Sequence, residues 1–311
     1  MMTAVCLNPA IDRTASVAAL TPGGLNRVIA SRSDAGGKGV NVAVTLARLG
    51  EEAACLAFLP RENSRLLEEK LRSEGVAGAG VPLAGAIRTN LKVLDESRGE
   101  ITEINESGAP VNRAQLDDMA SLIERYAAKS DYLILSGSLP PGCPGSFYRE
   151  IMERVAPLPC RVALDADAKG LREGLRARPY LVKPNRHELE ELTGAPLNDL
   201  EAIGRAARAL TEGGVGVAAV SLGSEGALVT DGASSLFAPR VAVTPRSTVG
   251  AGDAMLAGLA AGLRRGLPLC EAFRLSVACA AASVTSEGTG LICRETVEAL
   301  LPQVRIDPIS I

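Results

Sequence analysis

The chain has 311 residues, of which 47% are hydrophobic and only 3% aromatic, with no tryptophan and a formal net charge of −3. That length suits one large α/β domain with an appendage, or two domains, with ample apolar material for a core. So weak a charge provides no general field for nucleic acid or membranes, and so few aromatics argue against stacking on single strands, so any anion site must be local.

Seven cysteines stand scattered without a CxxC pair, which predicts free thiols in a reducing cytoplasm. One histidine, His187, cannot build a histidine metal site. No apolar run reaches the roughly 18 residues of a membrane span, and no basic leader precedes the first strand.

That strand, Thr3-Ala4-Val5-Cys6-Leu7, ends at Asn8-Pro9-Ala10, and Asp12 follows at once. Ligands in open α/β sheets bind beyond the carboxyl ends of strands, so Asp12 is either a ligand contact or an exposed loop residue. Next comes Asp34-Ala35-Gly36-Gly37-Lys38-Gly39-Val40-Asn41, where glycines surround a lysine and a helix begins. Val40, Val44 and Ala47 share one face of it and Val42, Leu46 and Leu49 another, so the helix is expected to be buried. It turns Lys38 and Asn41 toward whatever caps it. A buried, unpaired lysine is costly, so either an anionic or polyhydroxyl ligand stands beside Lys38 or the lysine snorkels out of the turn. This is not a P-loop: Arg32 stands where the first glycine is required, and Gly39 where Ser or Thr is.

Ile87 to Leu94 and Glu100 to Asn105 alternate in period two around Ser97-Arg98-Gly99, which predicts a hairpin. With the extended stretch Leu25 to Ser31 it is expected to lie outside the main sheet as a lid, its polar residues Arg88, Asn90 and Lys92 facing solvent or ligand. Ile87, Leu91 and Val93 then form an apolar face that needs a cover, for which a second copy of the lid is expected.

From Asn112 the pattern settles into alternation. A helix over 112–128 leads to the strand Tyr132 to Leu135 and Ser136-Gly137-Ser138. After another helix, Val162 to Leu164 ends at Asp165, and Tyr180 to Val182 ends in Lys183-Pro184-Asn185-Arg186-His187-Glu188. A helix over 200–210 precedes Val217 to Val220, which ends in Ser221-Leu222-Gly223-Ser224-Glu225-Gly226. Such alternation means a parallel sheet with helices on both faces. Gly214 to Ala219 matches a GxGxxA dinucleotide pattern but precedes its strand, so that reading fails. Asn185 and Glu188, three apart, fit either a helix cap or carboxamide and carboxylate ordering Mg²⁺ through water.

Val241 to Val249 reads as an extended approach to Gly250-Ala251-Gly252-Asp253, after which Leu256, Leu259 and Leu263 repeat at helical spacing. Unpaired amides and the dipole make that helix start an anion site. An Asp there repels anions. Asp253 is therefore an ordinary first-turn residue, or the base that phosphoryl transfer to a hydroxyl requires beside the anion.

Gly36-Gly37-Lys38-Gly39 with Asn41, Lys183-Pro184-Asn185 with Glu188, and Thr248 with Gly250-Ala251-Gly252-Asp253 together resemble the PfkB carbohydrate kinases of the ribokinase-like group, in that family's order and over essentially the whole chain. The stretches 7–12, 88–92, 136–140 and 181–185 resemble the branch acting on ketohexose phosphates, the 1-phosphofructokinases and tagatose-6-phosphate kinases, and Ser247-Thr248-Val249 favours the former. Ser247 stands where many members carry Asp or Asn, a mild departure. The resemblance implies a single three-layer α/β/α domain over 1–311 with a mainly parallel central sheet and a small β-sheet lid from segments near 11–33 and 86–107. It implies ATP, Mg²⁺ and a sugar-phosphate acceptor, fructose 1-phosphate, with tagatose 6-phosphate or fructose 6-phosphate as alternatives, and a homodimer joined through the lids. By resemblance Asp253 is the base, and Gly250, Ala251 and Gly252 form the anion hole. Asp12, Gly37, Lys38 and Asn41 hold the sugar, while Arg88, Lys92, Ser138 and Arg27 are candidates for its phosphate. Lys183, Asn185, Ser221, Gly223, Ser224, Glu225, Gly226 and Thr248 line the ATP site, and Asn185 and Glu188 position Mg²⁺ through water. A sugar-phosphate-binding regulator on the same scaffold is the non-enzyme alternative; a pure binder has no use for the base.

Overall fold

The structure, a computed structural model, describes residues 1–286 and 292–310. Every residue of β1 (Met2–Cys6) is buried, as befits a strand covered on both faces. The chain then leaves the sheet in β2 (Ala10–Val17) and β3 (Val28–Gly36), and returns through α1 (Lys38–Arg48), β4 (Ala53–Pro60), α2 (Ser64–Ser73) and β5 (Ala77–Leu83). The expected hairpin follows as β6 (Arg88–Asp95) and β7 (Glu100–Asn105). Alternation then sets in: α3 (Arg113–Ala127), β8 (Tyr132–Ser136), α4 (Phe147–Val155), β9 (Arg161–Asp165), α5 (Ala168–Gly174), β10 (Leu181–Val182), α6 (Arg186–Thr193), α7 (Leu200–Glu212) and β11 (Val217–Ser221). The remaining elements are β12 (Gly226–Thr230), β13 (Ser235–Pro239), α8 (Ala251–Arg264), α9 (Leu269–Val284), α10 (Arg294–Leu300) and β14 (Asp307–Pro308).

The main sheet runs β14-β13-β12-β11-β10-β9-β8-β1-β4-β5. It is parallel from β11 to β5 and antiparallel through β12, β13 and β14. Side chains alternate across it, which makes two cores. Met2, Ala4 and Cys6 pack with α1, α2, α8, α9 and α10. Val5 and Leu7 pack with α3, α4, α5, α6 and α7 on the other face. This is the three-layer α/β/α arrangement that the sequence led one to expect. The second sheet, β3-β2-β6-β7, contains the two predicted lid segments. Its centre is a parallel pairing of β2 with β6 that sets Asp12 against Asn90 and Thr14 against Lys92.

The expected extended approach to Gly250 joins neither sheet: no strand covers 241–249. Pro245 has no amide to offer a sheet, and the amides of Arg246 and Ser247 bond to the Val284 carbonyl at the end of α9.

Candidate active site

The carboxyl ends of β1, β8, β9 and β10 open toward the N-termini of α1 and α8. α8 starts from Gly250, whose φ of 82° lies in the left-handed region that glycine adopts without strain. That turn brings Asp253 into the first turn of the helix, buried at 6% exposure. Asn41, buried on α1, donates its Nδ2 to Asp253 Oδ2 at 2.8 Å. Burial pushes the Asp253 carboxyl up to about 6; the Asp165 charge acts in the same direction, while Lys38, Asn41 and Lys183 oppose it.

Asp165, at the end of β9, is the charge around which this group is arranged. Lys38 Nζ lies 3.1 Å from its Oδ1, and the buried Lys183 Nζ lies 3.5 Å from its Oδ2. Burial alone would raise the Asp165 carboxyl, yet the two lysines hold it below the usual range, and its charge pushes the Lys38 ammonium up. Lys38 therefore has a counter-charge within the protein, Asp165, beside the space where a ligand was expected. Lys183 also faces the glycine turn: a Cβ on Gly252 would stand 3.2 Å from its Nζ.

Beside this group is a cavity of about 160 Å³ lined by Lys38, Arg88, Ser136, Ser138, Asp167 and Glu188, among others. Arg88 donates only to main-chain carbonyls, from Nε to Asn8 at 3.3 Å and from Nη1 to Glu106 at 3.2 Å. Its charge meets no carboxylate there. On the same lid face, Asp12 Oδ1 accepts from Asn90 Nδ2 at 2.9 Å. Lys92 is also buried on that face. Gly37 caps α1 with a φ of 111°; a Cβ there would meet Cys6 Sγ at 2.8 Å, so glycine lets the helix start sit directly against β1. Arg27 is not brought to the cavity of its own chain. It is exposed just before β3, at the opposite end of the lid from the pairing of Asp12 with Asp34.

α6 begins in a full capping box, Asn185 Oδ1 accepting from the Glu188 amide at 2.8 Å and Glu188 Oε2 from the Asn185 amide at 2.8 Å. The cap reading of this pair is therefore realised. Glu188 still lines the cavity, and its Oε1 takes no part in the box. Ser221 bridges to Asn185, and Glu225 accepts from Arg186 at 2.6 Å, so the two loops form one rim. Ser224 lies in a 3-10 turn, Gly223–Glu225, followed by Gly226. Thr248 is exposed on the loop leading to Gly250.

Sequence reading missed Asp165 and Asp167. The signal available for Asp165 was its place at a strand's carboxyl end, together with two lysines that needed a counter-charge. Among the described residues no group of three or more His, Cys, Asp or Glu side chains gathers as a metal cage.

The chain matches the pfkB family carbohydrate kinases over residues 3–296. It is 41% identical over 303 residues to the 1-phosphofructokinase of Rhodobacter capsulatus, which covers 97% of this chain and 96% of that protein. The 1-phosphofructokinase of Escherichia coli is 34% identical over 307 residues, 98% of each chain. Among solved structures, the fold is similar to phosphofructokinase-2 from Escherichia coli in complex with substrates and products, with a TM-score of 0.92, 28% identity, and coverage of 97% of this chain and 98% of that one. A buried carboxylate at a glycine-started helix, lysines beside it and a likeness that runs through nearly every residue lead to one conclusion: the chain belongs to the pfkB family of carbohydrate kinases, phosphotransferases that take ATP, a divalent cation and an alcohol acceptor.

Proposed function

We propose that this protein transfers the γ-phosphoryl group of ATP to fructose 1-phosphate, giving fructose 1,6-bisphosphate. The observation that carries the reading is the pairing of Asp253, buried and held by Asn41, with an adjoining cavity that already contains Arg88 and Ser138. A base beside one anion hole, with a second set of donors close by, suits an acceptor that brings its own phosphate. A sugar without a phosphate would leave Arg88 unused. Relatives called 1-phosphofructokinase across almost the full length support the same choice.

In this reading Asp253 takes the proton from the attacking hydroxyl. The amides of Gly250, Ala251 and Gly252, with Lys183 opposite, stabilise the transferred phosphoryl group. Asp12, Gly37, Lys38 and Asn41 orient the sugar, and Arg88, Lys92 and Ser138 receive its phosphate. Ser221, Gly223, Ser224, Glu225, Gly226 and Thr248 line the nucleotide. The residues also fit a Mg²⁺ ion held mainly through water, since Glu188 keeps one carboxylate oxygen outside its capping box and Mg²⁺ seldom needs a protein cage. Bound there, it would neutralise phosphate charge. Free cysteines throughout the described residues support a reducing, cytoplasmic location. No described helix is long and apolar enough to cross a membrane.

The test is ADP release by the purified protein over fructose 1-phosphate, fructose 6-phosphate, tagatose 6-phosphate and fructose. The expected result is the highest kcat/KM with fructose 1-phosphate. A clear preference for another acceptor, or no ADP release with any, overturns the assignment.

A further inference from the structure

Four stretches of chain join the lid to the rest of the fold: 7–9, 37, 84–87 and 106–112. Asn8, buried at 8% exposure, lies on the first and grips the chain at or just after two of the others. Its Nδ2 donates to the Ser107 carbonyl, on the last crossing, at 3.1 Å. The same Nδ2 donates to Ser138 Oγ, on the loop after β8, at 3.3 Å. Its main-chain carbonyl accepts from Arg88 Nε, at the start of β6, at 3.3 Å. A carboxamide has two N–H donors, and both are committed inside the protein, so the side chain has none left for a ligand. Its Oδ1 faces Gly108, where a Cβ would stand 2.2 Å from it. Gly108 has a φ of 99°, so both backbone and space restrict that position to glycine.

The two groups Asn8 holds are left with donors to spare. Ser138 accepts the amide, which frees its own O–H. Arg88 commits Nε and Nη1 to carbonyls, which leaves Nη2. Both side chains line the same cavity.

We propose that Asn8 is a positioning residue that fixes Arg88 on the lid and Ser138 on the main sheet so that both donate to one anion, the phosphate of the acceptor sugar. This rests on the reading of that cavity as the acceptor-phosphate subsite. It adds that the subsite is assembled by a residue that does not touch the phosphate.

The test compares Asn8→Ala, Gly108→Ala, Ser138→Ala, Arg88→Ala and the double variant Asn8→Ala/Ser138→Ala. Loss of the amide should raise KM for fructose 1-phosphate about tenfold and move KM for ATP by less than about twofold. Inorganic phosphate, used as an inhibitor competitive with the sugar phosphate, should weaken by a similar factor. Gly108→Ala, which presses on Oδ1 from the other side, should reproduce the split even if Asn8→Ala folds poorly. In the double variant the rise in KM should fall short of the product of the two single effects, because the Asn8 amide acts through Ser138. A packing role alone would lower the melting temperature and leave both KM values in place. If Arg88→Ala raises KM for the sugar phosphate while Asn8→Ala and Gly108→Ala do not, or if the effects simply multiply, the Asn8 assignment is overturned and the proposed reaction stands. If Arg88→Ala itself leaves that KM unmoved, the subsite reading falls and takes this one with it.

Discussion

Asp253 is buried in the first turn of α8, and burial, reinforced by Asp165, pushes its carboxyl from the ordinary 3.8 up to about 6. A base must be ionised to work, so kcat/KM for the acceptor should climb with pH through about 6 and level off above it. Stability should move the other way. Between about pH 4 and about pH 6 the folded protein keeps a proton on Asp253 that the unfolded chain has lost, so this group's contribution falls as pH rises across that window and stays low above it. Asp253→Asn removes the cost of the buried charge. Its melting temperature should exceed the wild type's near neutral pH, by the equivalent of up to ~3 kcal/mol, and converge with it near pH 4. Turnover should drop by about 10²–10⁴ with ATP binding nearly unchanged. Melts at the two pH values and steady-state kinetics check both halves; near-normal turnover in the variant would remove Asp253 from the base role.

At the scale of elements, α6 shows how one residue pair can serve a helix and a ligand at once. The capping box uses Glu188 Oε2 as an acceptor, a task that a neutral glutamine performs equally well. Glu188→Gln should therefore leave the melting temperature almost unchanged. If the second carboxylate oxygen orders metal-bound water, the Mg²⁺ concentration for half-maximal activity should rise about tenfold. An unchanged Mg²⁺ dependence would reduce Glu188 to a cap. Elements of this local kind were readable in advance. The helix expected over 112–128 is α3, and period-two alternation around Gly99 announced the β6–β7 hairpin. What could not be read depends on partners far along the chain. Asp165 looks like any strand-end aspartate until Lys38, 127 residues earlier, folds against it. Likewise Asn90 meets Asp12 across 78 residues through a parallel pairing that no turn signals. Val241 to Val249 had a strand's composition, but the amides of Arg246 and Ser247 found the end of α9 instead.

For the whole molecule, the lid poses a question that one chain does not answer. It is a four-stranded sheet whose outer strands, β3 and β7, are edges, and free edges invite pairing. Leu25, Val28, Ile29, Ile101 and Ile104 make up most of the large apolar side chains exposed among the described residues; all lie on this sheet or its β2–β3 loop, Ile101 on the face of Asn90 and Lys92. Ile104 stands opposite the half-buried Leu91 in the β6–β7 register, so the two share a face. Arg13, also paired with Leu91, adds the only charge at that register position. The substrate cannot cover this side, since Asp12, Asn90 and Lys92 turn to the opposite face. A concentrated apolar patch of this kind marks an interface, and a two-fold pairing of identical patches is the commonest way to bury one. The expected state is a homodimer with the lids face to face, giving a light-scattering mass of twice the chain's 32.1 kDa. Ile104→Asp, at a side chain 58% exposed, should not disturb the fold of one chain, yet it should shift the protein toward monomer, because two such carboxylates would meet across the axis. Leu91→Asp should do the same with some loss of stability. Because the same sheet carries Arg88 and Lys92, activity should fall with the monomer fraction and recover as protein concentration is raised. A wild type that is monomeric at micromolar concentration and fully active would leave the apolar face to some other partner and rule out the dimer.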